Sequence, residues 1–512
     1  MNESRTKKSL QNAFVALFIQ ALNAIVGVVS RTIFIKILGN DYLSVNGLFS
    51  NILTLLSFAE LGIGNAIIFA LYKPVVNNDE EKIRQILKIY KYAFLIISMV
   101  IIGGGALIIP FLKYLVTDVP DISENIVLIY SLFVLNTAST YFFSYKNAII
   151  IANQRNYVVI TIKEIVTIGR IAFQIVFLLL THNYIFYLLL EIGFSLVTNL
   201  ACTLYANRHY PYIKMRCDTS LPKEERNKIF RDVKSLFVYK GGAAILNGTD
   251  NIIISLIIAT AFVGICSNYV LVIGTINGVV MQICNSVTAS IGNHNVTSSP
   301  EEKEKKFREI NSICFIIFSF CSVCLAVLLN PLIETWLGID YLLSQWVVIA
   351  LVLPFLLTGM NQIVSTYRMT LGLFKQARFI PLFAALINIV LSFVFGYLFG
   401  LIGVFIATSV AKLLTFSLFD PILVYKNGFE TKCNRYFLKY VMRIGLTVLI
   451  YCFASQIASF IQLNGIVGLF VKSFAVASFT GVVLIVFELF DKDFTDLLKG
   501  VKKIFFKRNK NA

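Results

Sequence analysis

The stretch that decides the fold runs from Arg31 to Pro74 and reads RTIFIKILGNDYLSVNGLFSNILTLLSFAELGIGNAIIFALYKP. It holds the end of one apolar run, a short turn at Gly39–Asp41 and a complete second apolar run, the pattern of two membrane-spanning helices joined as a hairpin. Arg31 lies in the first run and Glu60 in the second. An ionisable side chain inside a membrane is costly, so it usually faces a partner, a bundle interior or a water-filled cavity. The stretch therefore predicts further helices around these two charges.

The composition of the whole chain is that of a polytopic membrane protein. Of its 512 residues, 57% are hydrophobic and 14% are charged, whereas an average soluble domain has about 25% charged residues. Apolar runs of about 20 residues, long enough to cross a bilayer as helices, recur from end to end. The net charge of +17 arises mainly in short loops between these runs, as the positive-inside rule expects. The sequence therefore predicts an all-α membrane protein with no nucleic-acid partner.

Fourteen spans are predicted, with both termini inside. Lysines and arginines crowd every second loop, for example residues 207–231 and 303–308, while the opposite loops hold Lys113 and almost no other cation. An odd number of spans would destroy this alternation. The predicted spans are residues 11–38, 43–71, 88–112, 123–149, 157–181, 184–206, 234–259, 262–290, 309–333, 343–369, 377–399, 402–425, 437–461 and 466–489.

An internal repeat divides the predicted bundle into two lobes of six spans each. At a shift of 221 residues, Glu80-Glu81-Lys82 falls on Glu301-Glu302-Lys303, and Pro110 falls on Pro331. Because six is even, both copies have the same orientation, which predicts lobes related by an axis along the membrane normal. The predicted domains are an N-terminal lobe over 1–212, a cytoplasmic linker over 213–233, a C-terminal lobe over 234–427, two further spans over 428–490, and a basic amphipathic tail over 491–512.

Six ionisable residues fall near the predicted membrane midplane. Three cations are candidates for binding a phosphate, which guanidinium groups bind well: Arg31, Arg170 and Lys412. Three acids are candidate cavity groups or sites for a coupling H⁺ or Na⁺: Asp250, Glu191 and Glu60. Glu191 and Lys412 are 221 residues apart, so the repeat predicts that they face each other across the central space. The alternative is that these groups form internal ion pairs, such as Asp250 with Arg31, and bind no ligand.

No metal or cofactor site is predicted. The nine cysteines lie mostly inside or beside spans, and the three histidines are scattered along the chain. Neither a ligand cluster nor a disulfide framework is therefore indicated.

The first hairpin resembles that of a known family. Its sequence signal is YLSVNGLFSNIL at 42–53, followed by LSFAELGIGNAI at 56–67 and LYKP at 71–74. With twelve spans in two repeated lobes and two more beyond them, the chain is similar to the multidrug/oligosaccharidyl-lipid/polysaccharide exporter superfamily. Within it, the chain most resembles bacterial flippases for lipid-linked oligosaccharides of the O-antigen and capsule type.

The resemblance implies alternating access, in which two lobes rock to open a central cavity first inside and then outside. It implies that cationic cavity residues hold the diphosphate and sugars of a polyprenyl-diphosphate oligosaccharide, while the polyprenyl tail stays in membrane lipid. In related peptidoglycan-precursor flippases, arginines of the first span line the cavity, and Arg31 lies in the matching span. The implied location is the bacterial cytoplasmic membrane, and the implied partners are glycosyltransferases and a polymerase of the same pathway.

The predicted function is translocation of this lipid-linked oligosaccharide from the inner to the outer leaflet for surface polysaccharide synthesis, without enzymatic activity. One alternative is an ion-coupled multidrug antiporter of the same superfamily, although such proteins normally stop at twelve spans. Another is a polysaccharide polymerase. Its catalytic loop would have little room, because the longest outer loops cover only about residues 112–122 and 334–342.

Overall fold

The structure is a computed structural model, and it describes residues 22–496 except 24, 61, 62, 117–121, 143, 154, 216–218, 220, 287 and 464. Every regular element in this part of the chain is helical. Short 3₁₀ turns join several helices, and a π-helical segment follows α19. The α-helices are α1 (25–38), α2 (Asn40–Leu56), α3 (Ile63–Val76), α4 (Glu80–Ile108), α5 (Leu112–Leu115), α6 (Ile126–Ser139), α7 (Asn147–Ala152), α8 (Asn156–Thr181), α9 (Tyr184–His209), α10 (Lys223–Gly248), α11 (Asp250–Ile257), α12 (Thr260–Ser286), α13 (Thr288–Thr297), α14 (Pro300–Leu337), α15 (Gln345–Thr370), α16 (Phe374–Ala377), α17 (Ile380–Phe399), α18 (Leu401–Leu414), α19 (Phe416–Val424), α20 (Asn434–Phe460) and α21 (Gly465–Leu489).

Eleven helical segments within the described residues are long and apolar enough to cross a membrane. The other three predicted spans correspond to α1, to α2 with α3, and to α10 with α11, which are short or interrupted in the described part of the chain. The predicted fold class, an all-α polytopic membrane protein with about fourteen transmembrane helices, is confirmed.

Two predicted spans are interrupted next to a predicted site residue. The span predicted over 43–71 is broken by the 3₁₀ turn Ser57–Glu60 between α2 and α3. The span predicted over 234–259 is interrupted at Thr249, between α10 and α11. A break in membrane-embedded backbone is tolerated where protein or water satisfies the freed groups. Each break carries an acid that the sequence singles out, Glu60 in the first and Asp250 in the second.

Local sequence explains where the longest helices begin. Ser299 and Glu302 form a capping box at the start of α14, with hydrogen bonds in both directions, and Pro300 occupies the first turn. Asp79 caps α4 by accepting a hydrogen bond from the Lys82 backbone. Both helices therefore begin well before the predicted spans at 88–112 and 309–333. The 38 residues of α14 extend about 57 Å, beyond the roughly 30 Å of hydrocarbon.

Residue contacts divide the chain into two compact units. The first comprises Ile25–Gly264 with Pro381–Ile389, and the second comprises Ile265–Ile380 with the described part of Val390–Ala512. In the first unit, α8 packs along α9, α4 packs against α3 and α6, and α10 and α11 pack against α2. The repeat assigns residues 234–259 to the C-terminal lobe, whereas these contacts place them in the first unit, so the division into lobes stays a prediction.

The second unit is built around α14. This helix packs against α15, α20 and α21, and α15 packs against α13, α18 and α19. Phe307, Phe315 and Phe318 of α14 are fully buried. A Cβ at Gly359 of α15 would collide with the Phe318 ring, so the two helices approach closely there. Of the predicted amphipathic tail over 491–512, the structure describes a short helical stretch over 492–496, and residues 497–512 lie outside the described residues.

Candidate functional site

An ion pair between α8 and α9 brings two of the predicted site residues together. Arg170 Nη1 lies 3.4 Å from Glu191 Oε1, and the side chains are 25% and 28% exposed. The two helices form a hairpin because His182 adopts a left-handed conformation after α8 and Asn183 caps α9 by accepting two backbone hydrogen bonds. Glu191 lies about 10 Å along α9 from its start. The pair is therefore inside the membrane rather than at its surface.

Arg31 joins this pair through Tyr187. The Tyr187 side chain, one turn before Glu191 on α9, lies within electrostatic range of Arg31, Arg170 and Glu191. Its ring packs edge-on against Phe34 of α1, with ring centroids 5.3 Å apart, which holds α1 beside α9. Three of the six predicted site residues are thus gathered in one place. We name Arg31, Arg170, Tyr187 and Glu191 the Tyr187 cluster.

Neutral polar groups complete the surroundings of Glu191. Asn136 of α6 lies next to the Glu191 carboxylate, and Ser195 Oγ donates to Asn136 Oδ1 at 3.1 Å. One turn further on, Asn199 Nδ2 donates to two carbonyl groups at the end of α6, at 3.0 and 3.4 Å. Residues 187, 191, 195 and 199 therefore form a polar row on one face of α9, spaced by four. This spacing is the sequence signal that would have added Tyr187 to the predicted site.

Glu60 has partners of its own. The Tyr141 hydroxyl donates to Glu60 Oε2 at 2.7 Å, and Tyr90 of α4 lies within electrostatic range of the same carboxylate. A Cβ at Gly64 would lie 3.1 Å from the Tyr90 hydroxyl, so α3 and α4 approach closely beside the break. These contacts tie the break between α2 and α3 to the neighbouring helices.

Asp250 is the first residue of α11, directly after the interruption at Thr249. Thr249 Oγ1 donates to Asn388 Oδ1 of α17 at 3.2 Å, and Asn388 is fully buried. A carboxylate in the first turn of a helix interacts favourably with the partial positive charge at that end. The Asp250 carboxylate therefore stabilises the start of α11. The pairing of Asp250 with Arg31 stays a prediction.

Lys412 lies in the second unit, near the end of α18. Its Nζ donates to Thr358 Oγ1 of α15 at 2.9 Å. The helix ends two residues later, and α19 begins after Thr415. The predicted placement of Lys412 opposite Glu191 across a central space stays a prediction.

Two intramembrane ion pairs of the second unit are absent from the sequence-based prediction. Arg368 Nε lies 3.4 Å from Asp420 Oδ1, with the side chains 3% and 0% exposed. Arg443 Nη2 lies 2.9 Å from Glu488 Oε1, with the side chains 5% and 1% exposed. The rule that singles out Arg170, a charge within an apolar span, also indicates these four. They lie within about three turns of the predicted inner helix ends, where such side chains commonly reach out to water.

The Tyr187 cluster is the arrangement best suited to a ligand. It gathers two guanidinium groups and one carboxylate around the Tyr187 side chain, and its ion pair remains partly exposed. Guanidinium groups bind phosphate oxygens in pairs, and partly exposed ion pairs contribute little free energy. A phosphate can therefore replace Glu191 as the partner of Arg170. The two ion pairs of the second unit are almost fully buried and closed to such an exchange in this conformation.

Comparison with known proteins assigns the fold. No protein-family model and no curated protein matches the sequence. Among solved structures, the lipid II flippase MurJ in an inward closed conformation is similar with a TM-score of 0.68 and 14% identity, covering 95% of this chain and 100% of the flippase. A multidrug resistance MATE family transporter of the MOP superfamily, inward-facing, is similar with a TM-score of 0.61 and 14% identity, covering 81% of this chain and 98% of the transporter. A MATE structure in complex with MaD3S gives 0.52 at 14% identity, with 82% and 96% covered. The chain therefore has the fold of the MurJ and MATE transporters.

Proposed function

We propose that this protein is a transporter of the MOP superfamily that moves a polyprenyl-diphosphate-linked oligosaccharide from the inner to the outer leaflet of a bacterial cytoplasmic membrane. The observation that carries the proposal is the extent of the likeness to the lipid II flippase, which covers 95% of this chain. The 5% of the chain that this likeness leaves uncovered is shorter than the segment formed by α20 and α21. The likeness therefore extends beyond the twelve spans of the internal repeat.

The substrate needs such a protein because its head group cannot enter hydrocarbon unaided. Each sugar hydroxyl that leaves water without a new hydrogen bond costs several kcal/mol. A path lined with polar groups removes that cost while the polyprenyl chain remains in lipid. A membrane potential that is negative inside favours outward movement of the diphosphate, by about 2.3 kcal/mol per charge per 100 mV.

In the proposed cycle, the Tyr187 cluster binds the diphosphate. Arg170 exchanges Glu191 for a phosphate oxygen, and Arg31 supplies a second guanidinium from α1. When the substrate leaves, Glu191 returns to Arg170, so that Arg170 keeps a counter-charge in the empty site. Alternating access requires helices that bend, and the breaks at Ser57–Glu60 and Thr249 supply such points in the first unit.

The pathway partners follow from the substrate. Glycosyltransferases that assemble the oligosaccharide at the inner leaflet would supply it, and a polymerase acting at the outer face would consume it. Asp250 and Glu191 are the predicted sites of a coupling H⁺ or Na⁺, since each is an acid within a span.

An ion-coupled multidrug antiporter is the second candidate function. The likeness to MATE transporters supports it. These structures cover 81% and 82% of the chain, and the remainder is longer than α20 and α21 together. Two guanidinium groups at one site also repel the cationic compounds that acidic drug sites attract. Both points favour the flippase.

The test is translocation in a bacterial strain whose own oligosaccharide flippase is deleted. Polyprenyl-linked glycan that reaches the outer face is measured with and without this protein. We expect the wild-type chain to restore translocation and Arg170→Gln to lose most of it. The matched control is Lys163→Gln, which removes an exposed cation from the same helix. A gain in dye or drug resistance without glycan translocation would instead establish the antiporter.

A double variant separates phosphate binding from simple helix packing. If Arg170 only neutralises Glu191, Arg170→Gln combined with Glu191→Gln should recover translocation, because no unpaired charge remains. If Arg170 binds the diphosphate, the double variant should remain inactive although it is present in the membrane at the wild-type level. Full activity of the double variant would rule out the phosphate-binding role.

A further inference from the structure

One face of α15 carries a row of polar side chains inside the second unit. The row recurs at a spacing of three to four residues, so it occupies one side of the helix. Its members contact α18 and α19, because Thr358 accepts a hydrogen bond from Lys412 and Arg368 pairs with Asp420. The row consists of Thr358, Asn361, Gln362, Ser365 and Arg368.

At the middle of this row, two buried oxygen atoms lack a hydrogen-bond donor. Asp420 Oδ2 accepts from Asn361 Nδ2 at 3.3 Å. Among the described residues, no group donates a hydrogen bond to Asp420 Oδ1 or to Asn361 Oδ1, although both atoms are buried. Asp420 Oδ1 has instead the charge of Arg368, whose Nε lies 3.4 Å away. Buried acceptors without donors are costly, and a proton on Asp420 would supply a donor for Asn361 Oδ1.

We propose that Asp420 and Asn361 form a proton-binding site that is linked to the transport cycle through Arg368. A proton taken up from water adds to the Asp420 carboxylate and forms one O–H bond, and no covalent bond breaks. The new O–H can donate to Asn361 Oδ1 while Asn361 Nδ2 keeps its bond to Asp420 Oδ2. The acid and the amide then satisfy each other with two hydrogen bonds. The link to a transport cycle rests on the proposed function, whereas the proton site itself does not.

The surroundings of Asp420 favour a proton over a metal cation. Either ion adds one positive charge beside Arg368, whose Nε lies 3.4 Å from Asp420 Oδ1. A sodium ion would also need a shell of oxygen ligands there. A proton forms a single O–H bond within the carboxyl and needs one acceptor, which Asn361 Oδ1 can supply.

Protonation of Asp420 removes the negative charge that is paired with Arg368. The guanidinium is 3% exposed, so a neutral Asp420 would leave a buried cation without its counter-charge, which is strongly unfavourable. Arg368 lies two residues before the end of α15, from where its long side chain can reach the predicted inner boundary. Around Asp420, α19 is flanked by the interruption at Thr415 and by the π-helical segment Tyr425–Phe429. Such irregular backbone is common where helices rearrange, and protonation biases the pair between two arrangements.

Other titratable or charged groups lie on the elements packed against α19. The acids near Tyr367 and Tyr425 are Glu304, Glu309 and Asp493, and none of them lies on α19. Asp420 is therefore the carboxylate of this site. By element the other groups are Tyr367 and Arg368 on α15, Lys412 on α18, Tyr425 and Lys426 on the π-helical segment, and Tyr436, Tyr440 and Arg443 on α20.

Infrared difference spectroscopy of the purified full-length protein in lipid tests the proton site without any substrate. Acidification should produce the C=O stretching band of a protonated buried carboxyl, and Asp420→Asn should lose that band. The matched control is Asp340→Asn, which removes an exposed aspartate from the turn after α14 and should keep the band. A band that survives in Asp420→Asn, or that never titrates while the protein stays folded, would overturn the proposal.

Reconstituted transport tests the link to the cycle. The rate of glycolipid flipping in the wild-type protein should depend on the pH difference across the vesicle membrane, and Asp420→Asn should lose that dependence. Should Asp420→Asn fail to fold, the neutral pair Asp420→Asn with Arg368→Gln restores charge balance and should give the same loss. A neutral pair that keeps the wild-type pH dependence would reduce Asp420 to a packing role. Absence of glycolipid flipping together with a titrating band would reject the proposed substrate and leave the proton site standing.

Discussion

Arg443 shows at the scale of one residue how a charge is accommodated inside this protein. Its guanidinium donates to both carboxylate oxygens of Glu488, at 3.1 and 3.0 Å, and to Ser312 Oγ at 2.6 Å. The same group lies over the Phe315 ring, 4.9 Å from its centroid. One arginine of α20 is therefore held by α14 and α21 together.

Removal of Arg443 should be strongly destabilising. Arg443→Ala leaves Glu488 buried without a counter-charge, which costs about 3–5 kcal/mol. The thermal unfolding midpoint in detergent should fall clearly. The partly exposed pair of Lys82 with Glu225, with side chains 33% and 43% exposed, supplies the control, because Lys82→Ala should cost at most about 1 kcal/mol. Equal losses from the two variants would contradict this account of the buried pair.

Three candidate residues that stand out in the sequence lie together in the structure, but the residue that links them was not predicted. Arg31, Arg170 and Glu191 stand out as charges in apolar runs, and the structure gathers them. Tyr187, which links them, is marked in the sequence only by its spacing of four residues from Glu191. Which face of a helix meets which neighbour depends on packing between segments far apart in the chain, and one sequence does not encode it visibly.

At the scale of the helix, single glycines determine how closely two helices can approach. Where α10 meets α17, a Cβ at Gly242 would collide with the backbone of Pro381 and Leu382, whereas a Cβ at the adjacent Gly241 would meet nothing within 4 Å. Backbone atoms cannot rotate away as a side chain can. The contact therefore exists because position 242 has no side chain.

Two alanine substitutions at neighbouring positions test this contact. Gly242→Ala should destabilise the protein by about 1–3 kcal/mol, the usual effect of overpacking. Gly241→Ala should be neutral or slightly stabilising, because alanine is the better helix former. The comparison is made from thermal unfolding midpoints of the two variants in the same detergent. A loss for Gly241→Ala as large as that for Gly242→Ala would point to a general intolerance of α10.

The start of α14 was easier to predict from the sequence than the breaks inside two other spans. The capping box at Ser299 and the acids that follow it indicate where α14 begins. The breaks at Ser57–Glu60 and Thr249 were not predicted, because the apolar runs continue through both positions. Hydrophobicity indicates that a segment lies in the membrane. It does not indicate whether the helix is continuous, because that depends on the groups packed around the segment.

At the scale of the whole molecule, the number of spans and the class of fold were predictable because the bilayer imposes both. Segment length and loop charge are properties of the sequence alone. The grouping of α10 and α11 with the first unit was not predictable from the repeat. A repeat records ancestry and orientation, whereas compact units follow from side-chain contacts.

Asp493 joins distant parts of the chain at the predicted inner side. Its carboxylate accepts hydrogen bonds from Lys439 of α20 at 2.7 Å and from Arg308 of α14 at 3.2 Å. Burial acts to raise the pKa of Asp493, but the hydrogen bonds and charges of Lys439 and Arg308 outweigh it, so the pKa lies below the ordinary value of 3.8. The ionised form thus secures residues 491–496 against α14 and α20.

The contribution of Asp493 to stability should depend on pH in one direction. Because its pKa is lower in the folded state, the contribution is complete above the ordinary aspartate pKa of 3.8 and is lost as pH falls through the folded value. Hydrogen exchange in residues 491–496 should speed up on acidification. Asp493→Asn should show fast exchange already at neutral pH, and a variant with wild-type protection would exclude this anchoring role.

The continuous helix α14 has a consequence for the observation of transport. It runs without interruption for 38 residues and is packed against α15, α20 and α21 along its course. Pro331 lies inside its last two turns, where a kink is expected, so the straight part runs from Pro300 to Val327 and measures about 40 Å. Two spectroscopic probes at the ends of this part would serve as an internal ruler whose reading we expect to stay constant through the cycle. Changes measured from either probe to another helix could then be attributed to that helix, with no external calibration.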